Sequence, residues 1–408
     1  MHRFVAPLAL ALAVTACGVA EKDYSHATPL MPIKPDLTVR PVWVAPTGEL
    51  PKGVHAQMPP RVVDGQLYLA NAGGDVGRLD ARTGALAWVV TLDDKLTGGP
   101  GVGGGLVLVG SRKAQLVALD AAGGKERWRS RLSSETLAVP QVAGDSVIVQ
   151  CIDGQVLALD HNDGKQRWNY SHNTPALTLR GTSSPLVADE RVIAGFADGV
   201  LVALSLKTGE VQWESTVAIP RGRNDLERLV DIDGLFRAED GVIYVASYQG
   251  RIAAVSSSDG NILWSRDMSS YTGLAVGENQ VFVTDAEGQV WALDRRTGAT
   301  LWRQDKLKER EVSAPALVGG QVAVADYEGY VHWLSPDDGR FTARLSMDQA
   351  WARFRYVWPN VDGPDEKPPL HSVTTPPLAL DRDLLVRDNL GTLAVFRVEP
   401  SAAPAAAQ

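Results

Sequence analysis

At 408 residues, 45% of them apolar, the chain is long enough to bury a large core. Its formal charge of −8 argues against a general nucleic-acid binder, because phosphate contact needs a positive face. The two cysteines, Cys17 and Cys151, give no disulfide framework.

The chain opens with a short basic start, Met1-His-Arg3, and an apolar run of eleven residues from Phe4 to Val14. A bilayer span needs about 20 residues, so this run suits the core of a signal peptide rather than a transmembrane helix. It ends in Val14-Thr-Ala-Cys17, which resembles a bacterial lipobox. The expectation is removal of residues 1–16 and acylation of Cys17, each acyl chain contributing about 0.8 kcal/mol per buried methylene. Gly18 stands where an aspartate would favour inner-membrane retention in enteric bacteria, so the resemblance implies the outer membrane. Residues 17–39 carry Pro29, Pro32 and Pro35 without apolar periodicity and read as a lipidated flexible tether.

From residue 40 to 399 one pattern recurs: a proline, an apolar pair, a polar turn, two strands, an aspartate–glycine turn and a tryptophan. Trp88, Trp128 and Trp168 lie 40 residues apart, the period of a four-stranded propeller blade. In the third copy the strands are expected near residues 140–143, 146–151, 155–160 and 166–171, separated by Gly144-Asp145 hairpin chemistry, Asp153-Gly154 and Asp163-Gly164. The second strand of each copy is nearly all apolar (Leu106-Val-Leu-Val109, Val242-Ile-Tyr-Val245), so both of its faces must be covered, as radial packing of blades provides. The seventh copy has Ala343 in place of the tryptophan, and the eighth stops after Val398, before a fourth strand. Arg40-Pro-Val-Trp-Val-Ala45 carries an orphan tryptophan, Trp43, and is the candidate for that missing strand. The expected fold is all-β: an eight-bladed propeller closed by the strand around Trp43, with residues 400–408 a disordered tail.

The repeated residues read as architecture. Asp80, Asp120, Asp160 and Asp294 sit at turn positions and are expected to accept backbone hydrogen bonds rather than hold a metal. The tryptophans are expected to pack between blades, each indole N–H seeking an acceptor. Cys151 follows an apolar strand and reads as an inert thiol. The seven histidines make no short-spaced pair, and the glycine-rich Gly101-Val-Gly-Gly-Gly105 lies between strands with no helix after it. No metal, cofactor or catalytic set is therefore expected.

Function is expected where the period breaks, in loops carried by the rigid ring. The spacing grows to 45 residues between Trp168 and Trp213 and to 51 between Trp213 and Trp264. The additions fall at equivalent points of neighbouring blades, so they should emerge on one face. Leu177, Leu179 and Arg180 in the first, and Asp231 and Asp233 in the second, combine apolar anchors with charges of both signs, as a protein-binding patch does. A further insertion, from Ser346 to Pro376, holds Trp351, Phe354, Tyr356 and Trp358, which could form an interface or fold back over the ring.

With its lipobox, eightfold repeat and two inter-blade loops, the chain resembles the BamB family, lipoproteins of the bacterial outer-membrane β-barrel assembly machinery. The repeat alone is shared with quinoprotein dehydrogenases and marks only a fold. The more specific motifs are Leu177-Thr-Leu-Arg-Gly181 and Arg228-Leu-Val-Asp-Ile-Asp233. The resemblance implies that Leu177, Leu179, Arg180, Asp231 and Asp233 bind a periplasmic POTRA domain of BamA, and that the insertion at 346–376 departs from the family pattern. It also implies a non-catalytic scaffold, lipid-anchored to the outer membrane and facing the periplasm, that works with other complex members on nascent β-barrel proteins. The alternatives are a dehydrogenase using PQQ and calcium, which would want vicinal cysteines and axial acids that this chain lacks, and a sensor propeller.

Overall fold

The computed structural model describes residues 24–50, 58–175, 177–178, 183–221, 223–224, 226–232, 234–353, 358 and 372–399. They form eight antiparallel sheets of four strands each. Blades 1 to 7 span residues 61–91, 96–131, 141–171, 186–216, 237–267, 274–304 and 316–346, each with its strands in sequence order. In blade 3 the strands are Gln141–Ala143, Ser146–Gln150, Gln155–Asp160 and Gln166–Ser171, within a residue of the expected bounds. All five residues of Ser146–Gln150 are buried, as the absence of a polar face requires.

The first strands of successive blades touch one another, so they form the inner ring and the fourth strands lie outermost. The core is accordingly a set of apolar layers between blades rather than one centre. Ile148 and Val156 of blade 3, for example, pack with Val192, Ala194 and Val202 of blade 4. In the eighth sheet the order is Val39–Pro46, Thr392–Val398, Asp383–Arg387, Leu378–Leu380, so a strand from the beginning of the chain lies outside three from its end. Trp43 and Leu393 of this blade share a cluster with Leu67 and Leu79 of blade 1.

One joint repeats around the ring. On the outer strands of blades 1 to 6 the tryptophan lies over the glycine of the third-to-fourth strand turn in the next blade, and its indole N–H donates to a carbonyl of that turn. Trp128 donates to His161 O (2.8 Å), Trp168 to Leu206 O (3.0 Å) and Trp264 to Arg295 O (3.0 Å). The turn glycine is required twice over. Gly209 has φ of +74°, and a Cβ there would stand 2.6 Å from the Trp168 ring. The repeat aspartates shape the same turns: Asp120 Oδ1 accepts from the amides of Ala122 and Gly123, and Asp294 Oδ1 from those of Arg296 and Thr297. Cys151 is buried, and burial pushes its thiol pKa up, away from thiolate reactivity.

Blade 7 departs from the joint for a topological reason. Blade 8 takes its outer strand from the other end of the chain, so it has no third-to-fourth turn and no turn glycine to receive an indole. In five of the first six blades the residue opposite the tryptophan on the third strand is alanine, as in Ala158↔Trp168, and blade 1 has Arg78. Blade 7 reverses the pair, with Trp333↔Ala343. The indole has moved inward one strand, where it meets Phe396 of blade 8 edge-on at 5.8 Å.

Two stretches outside the repeats are held against the ring. Residues 24–38, the second half of the segment expected to be a flexible tether, run along blades 6 and 7. Thr28 N donates to Lys308 O, and Asp36 N and Leu37 N to Thr342 O. Arg310 Nη1 donates to Thr28 O (3.1 Å) and Arg344 Nη1 to Met31 O (2.8 Å), while Tyr24 stacks on Tyr327 at 3.9 Å. Leu30 and Leu37 join the apolar layers. Pro29, Pro32 and Pro35 have no N–H to satisfy, which lowers the cost of laying an extended strap on the surface. The insertion after blade 7 begins with a short helix, Met347–Ala350, and a 3-10 turn, Trp351–Arg353. Trp358 then reaches blade 1, buried against Gly77, with its indole N–H on Asp75 Oδ2 at 3.3 Å. Gly77 stands where blade 2 has Val117, and that missing side chain makes room for the ring. Trp358 folds back over the ring, while Phe354 and Tyr356 lie outside the described residues.

Candidate partner-binding surface

The loops joining blades 3 to 4 and 4 to 5 leave the ends of outer strands, on the same face as the turns between second and third strands. Their roots are fixed by blade 4. Ile232 N donates to Phe196 O, and its side chain fills the space over Gly195, where a Cβ would stand 2.6 Å from it. Gly195 O in turn accepts from Gln150 Nε2 (2.8 Å) and Ser183 Oγ (3.1 Å). His172 stacks on Phe196 at 4.1 Å and bonds Asp198 Oδ2 through Nε2 at 2.8 Å. Thr174, Thr178 and Ile232 line one small pocket together with Gln150 and Phe196, so the two loops meet over blades 3 and 4.

The second loop divides into a buried root and an exposed tip. Leu229, Val230, Asp231 and Ile232 are buried, whereas Ile219 and Leu226 are 62% and 66% exposed. Asn224 and Glu227 brace the tip reciprocally: Glu227 N donates to Asn224 Oδ1 and Asn224 Nδ2 to Glu227 Oε1, while Arg223 N donates to Glu227 Oε2. In the first loop Leu177 is 41% exposed. Three large apolar side chains thus stand in water on adjacent loops above a packed base, which is the arrangement of anchor residues at a docking surface.

Of the five residues expected to form this surface, the structure describes two. Leu177 is exposed. Asp231 is fully buried, and its carbonyl accepts from Tyr248 N at 2.9 Å, tying the loop root to blade 5. Leu179, Arg180 and Asp233 lie outside the described residues, as does Cys17. Ile219 and Leu226 were not singled out in the sequence; the available signal was two large apolar residues flanking the charged stretch Arg221–Asp225. Among the described residues no group of three or more His, Cys, Asp or Glu is placed to hold a metal ion, and no helix is long and apolar enough to cross a membrane.

Comparison with known proteins gives a consistent picture. The family model described as Outer membrane protein assembly factor BamB matches residues 72–304. The Outer membrane protein assembly factor BamB of Pseudomonas aeruginosa is 47% identical over 353 residues, covering 86% of this chain and 93% of that protein. The crystal structure of BamB from Moraxella catarrhalis superposes with a TM-score of 0.76 at 27% identity, over 88% of this chain and all of that one. A quinohemoprotein alcohol dehydrogenase from Comamonas testosteroni aligns with a TM-score of 0.65 at 14% identity, over 91% of this chain and 78% of its own. At that identity the likeness is one of fold alone.

Proposed function

Because the chain belongs to the BamB family of outer membrane protein assembly factors, we propose that it is a non-catalytic scaffold that docks a POTRA domain of BamA. In this role it holds its propeller beside the assembly complex and assists the folding and insertion of β-barrel proteins. Acyl chains on Cys17 anchor it to the outer membrane on the periplasmic side. The observation that carries the reading is the pair of inter-blade loops, which break an otherwise regular ring and expose Leu177, Ile219 and Leu226 above a buried base. Leu177, Leu179 and Arg180 of one loop and Asp233 of the other supply contacts, and buried Asp231 sets the shape of the second loop.

The test is binding of purified BamA POTRA domains to the protein and to variants. Leu177→Ser with Ile219→Ser is expected to weaken binding at least about tenfold with an unchanged melting temperature, since hot-spot truncations cost about 2 kcal/mol or more and both side chains are exposed. Asp231→Ala is expected to weaken binding and lower the melting temperature together. Unchanged affinity in the leucine–isoleucine pair would remove the docking assignment.

A further inference from the structure

In an eight-bladed ring, blades 1 and 5 are diametrically opposed. Their first strands, Arg61–Val63 and Arg237–Glu239, therefore face each other across the central channel. Each begins with an arginine in the same register, Arg61 opposite Tyr68 and Arg237 opposite Tyr244 of the second strands. The equivalent place in the other blades holds Gly101, Gln141, Leu186, Ala275, Ala316 and Leu378. This level of the channel thus has two positive side chains and no carboxylate. Its nearest acidic residue along the strands is Glu239, two residues further in.

The two guanidinium groups are partly walled off from solvent. Arg237 is exposed and Arg61 partly so, yet loss of solvent lowers both pKa values. The charge of Arg61 lowers that of Arg237 further, although the two stand on opposite blades. Among the described residues neither is offset by a carboxylate. Arg237 Nη1 donates only to the adjacent Phe236 O at 3.3 Å, and Arg61 has no hydrogen bond. Two like charges facing each other at one level of the channel, with most of their donors unspent, have the makings of an oxyanion clamp.

We infer that Arg61 and Arg237 form an anion-binding site in the mouth of the central channel, taking a carboxylate or phosphate group between their guanidinium forks. The site lies on the loop-bearing face, since Arg237 directly follows the loop between blades 4 and 5. It is independent of whether those loops dock BamA. The oxyanion comes either from a free small anion or from an acidic side chain presented by a docking protein.

Calorimetric titration of the full-length protein in detergent, at constant ionic strength set with chloride, tests this with inorganic phosphate, succinate and a triglutamate peptide. Binding of phosphate or succinate is expected, weakened at least about tenfold by Arg61→Gln and by Arg237→Gln and less by Arg237→Lys. Arg237→Glu is expected to abolish binding without lowering the melting temperature, because it replaces a repulsion by an attraction. Peptide binding tighter than succinate, with the same arginine dependence, identifies a protein-borne acid; weaker peptide binding identifies a free anion. Absence of binding by all three probes, or binding unchanged in both glutamine variants, would overturn the site.

Discussion

Arg310, Asp326, His332 and Arg344 form a buried chain that decides where the strap can lie. His332 Nε2 is 3.0 Å from Asp326 Oδ2, and Arg344 Nε donates to His332 Nδ1 at 3.0 Å, so the ring is neutral with its proton on Nε2. Arg310 Nε donates to the same Asp326 oxygen at 2.8 Å, and its Nη2 pairs with Glu328. Burial lowers the His332 pKa below its ordinary 6.5, against the opposing pull of Asp326. For Asp326 burial alone would raise the pKa, but the hydrogen bond from His332 and the charge and hydrogen bond of Arg310 outweigh it and hold the carboxyl below 3.8. Both shifts act in one direction. Below pH 6.5 the unfolded chain takes up a proton at His332 that the folded protein resists, and below 3.8 the same holds for Asp326, so stability falls with acidification. The urea midpoint is therefore expected to drop between pH 7 and 5, and His332→Asn, which cannot titrate, should lower the midpoint at pH 7 but flatten this part of the profile. An equal slope in the variant would assign the loss to other groups.

At the scale of the blade, the exchanged pair Trp333 and Ala343 shows that position in the ring, not the repeat, sets the residue. Trp333→Ala should leave a cavity beside Phe396 and cost about 3–5 kcal/mol, seen as a lower melting temperature. Restoring the repeat with Trp333→Ala and Ala343→Trp together should not recover the loss, because blade 8 offers no turn glycine to receive the outer indole. Full recovery in the double variant would show that the glycine is dispensable. The repeat itself was legible: period, turn residues and apolar second strands give the count of blades and the strands of blade 3 to within a residue. The missing tryptophan at 343 was visible as a gap, and the strand around Trp43 was expected to complete blade 8, but the link between them needs the indole–glycine joint, which only the packing shows. The strap over residues 24–38 left no pattern, because it is held by carbonyl acceptors and single side chains rather than by an apolar period. The burial of Asp231 was equally hidden, since an acid in a charged loop reads as solvated until Ile232 is seen packed on Gly195.

For the whole molecule, the two ends of the chain meet in one sheet, while the strap spans the two blades before it. Arg61 and Arg237, unremarkable 176 residues apart, come to face each other only when eight blades set blade 1 opposite blade 5. This closure separates two roles of the N-terminal segment that one truncation series can distinguish. Removing residues through 38 deletes the strap, with the contacts of Arg310 and Arg344 to Thr28 and Met31 and the Arg340–Asp36 pair, but keeps Val39–Pro46. The exposed ion pair is worth little, so the loss rests on the uncovered apolar layers beneath Leu30 and Leu37 and on buried Arg310, whose Nη1 loses its acceptor. That protein is expected to remain monomeric and to melt in one transition at a lower temperature. Removing residues through 46 takes away a whole strand and the Trp43 ring that covers Gly84. The edge of Thr392–Val398 then lies open along its length, a template for pairing with another chain, and the indole-sized hole alone costs about 3–5 kcal/mol. The longer truncation is expected to associate or aggregate on size-exclusion chromatography and to lose the single calorimetric transition. If both truncations stay monomeric and melt alike, the strand from the beginning of the chain does not hold the ring closed.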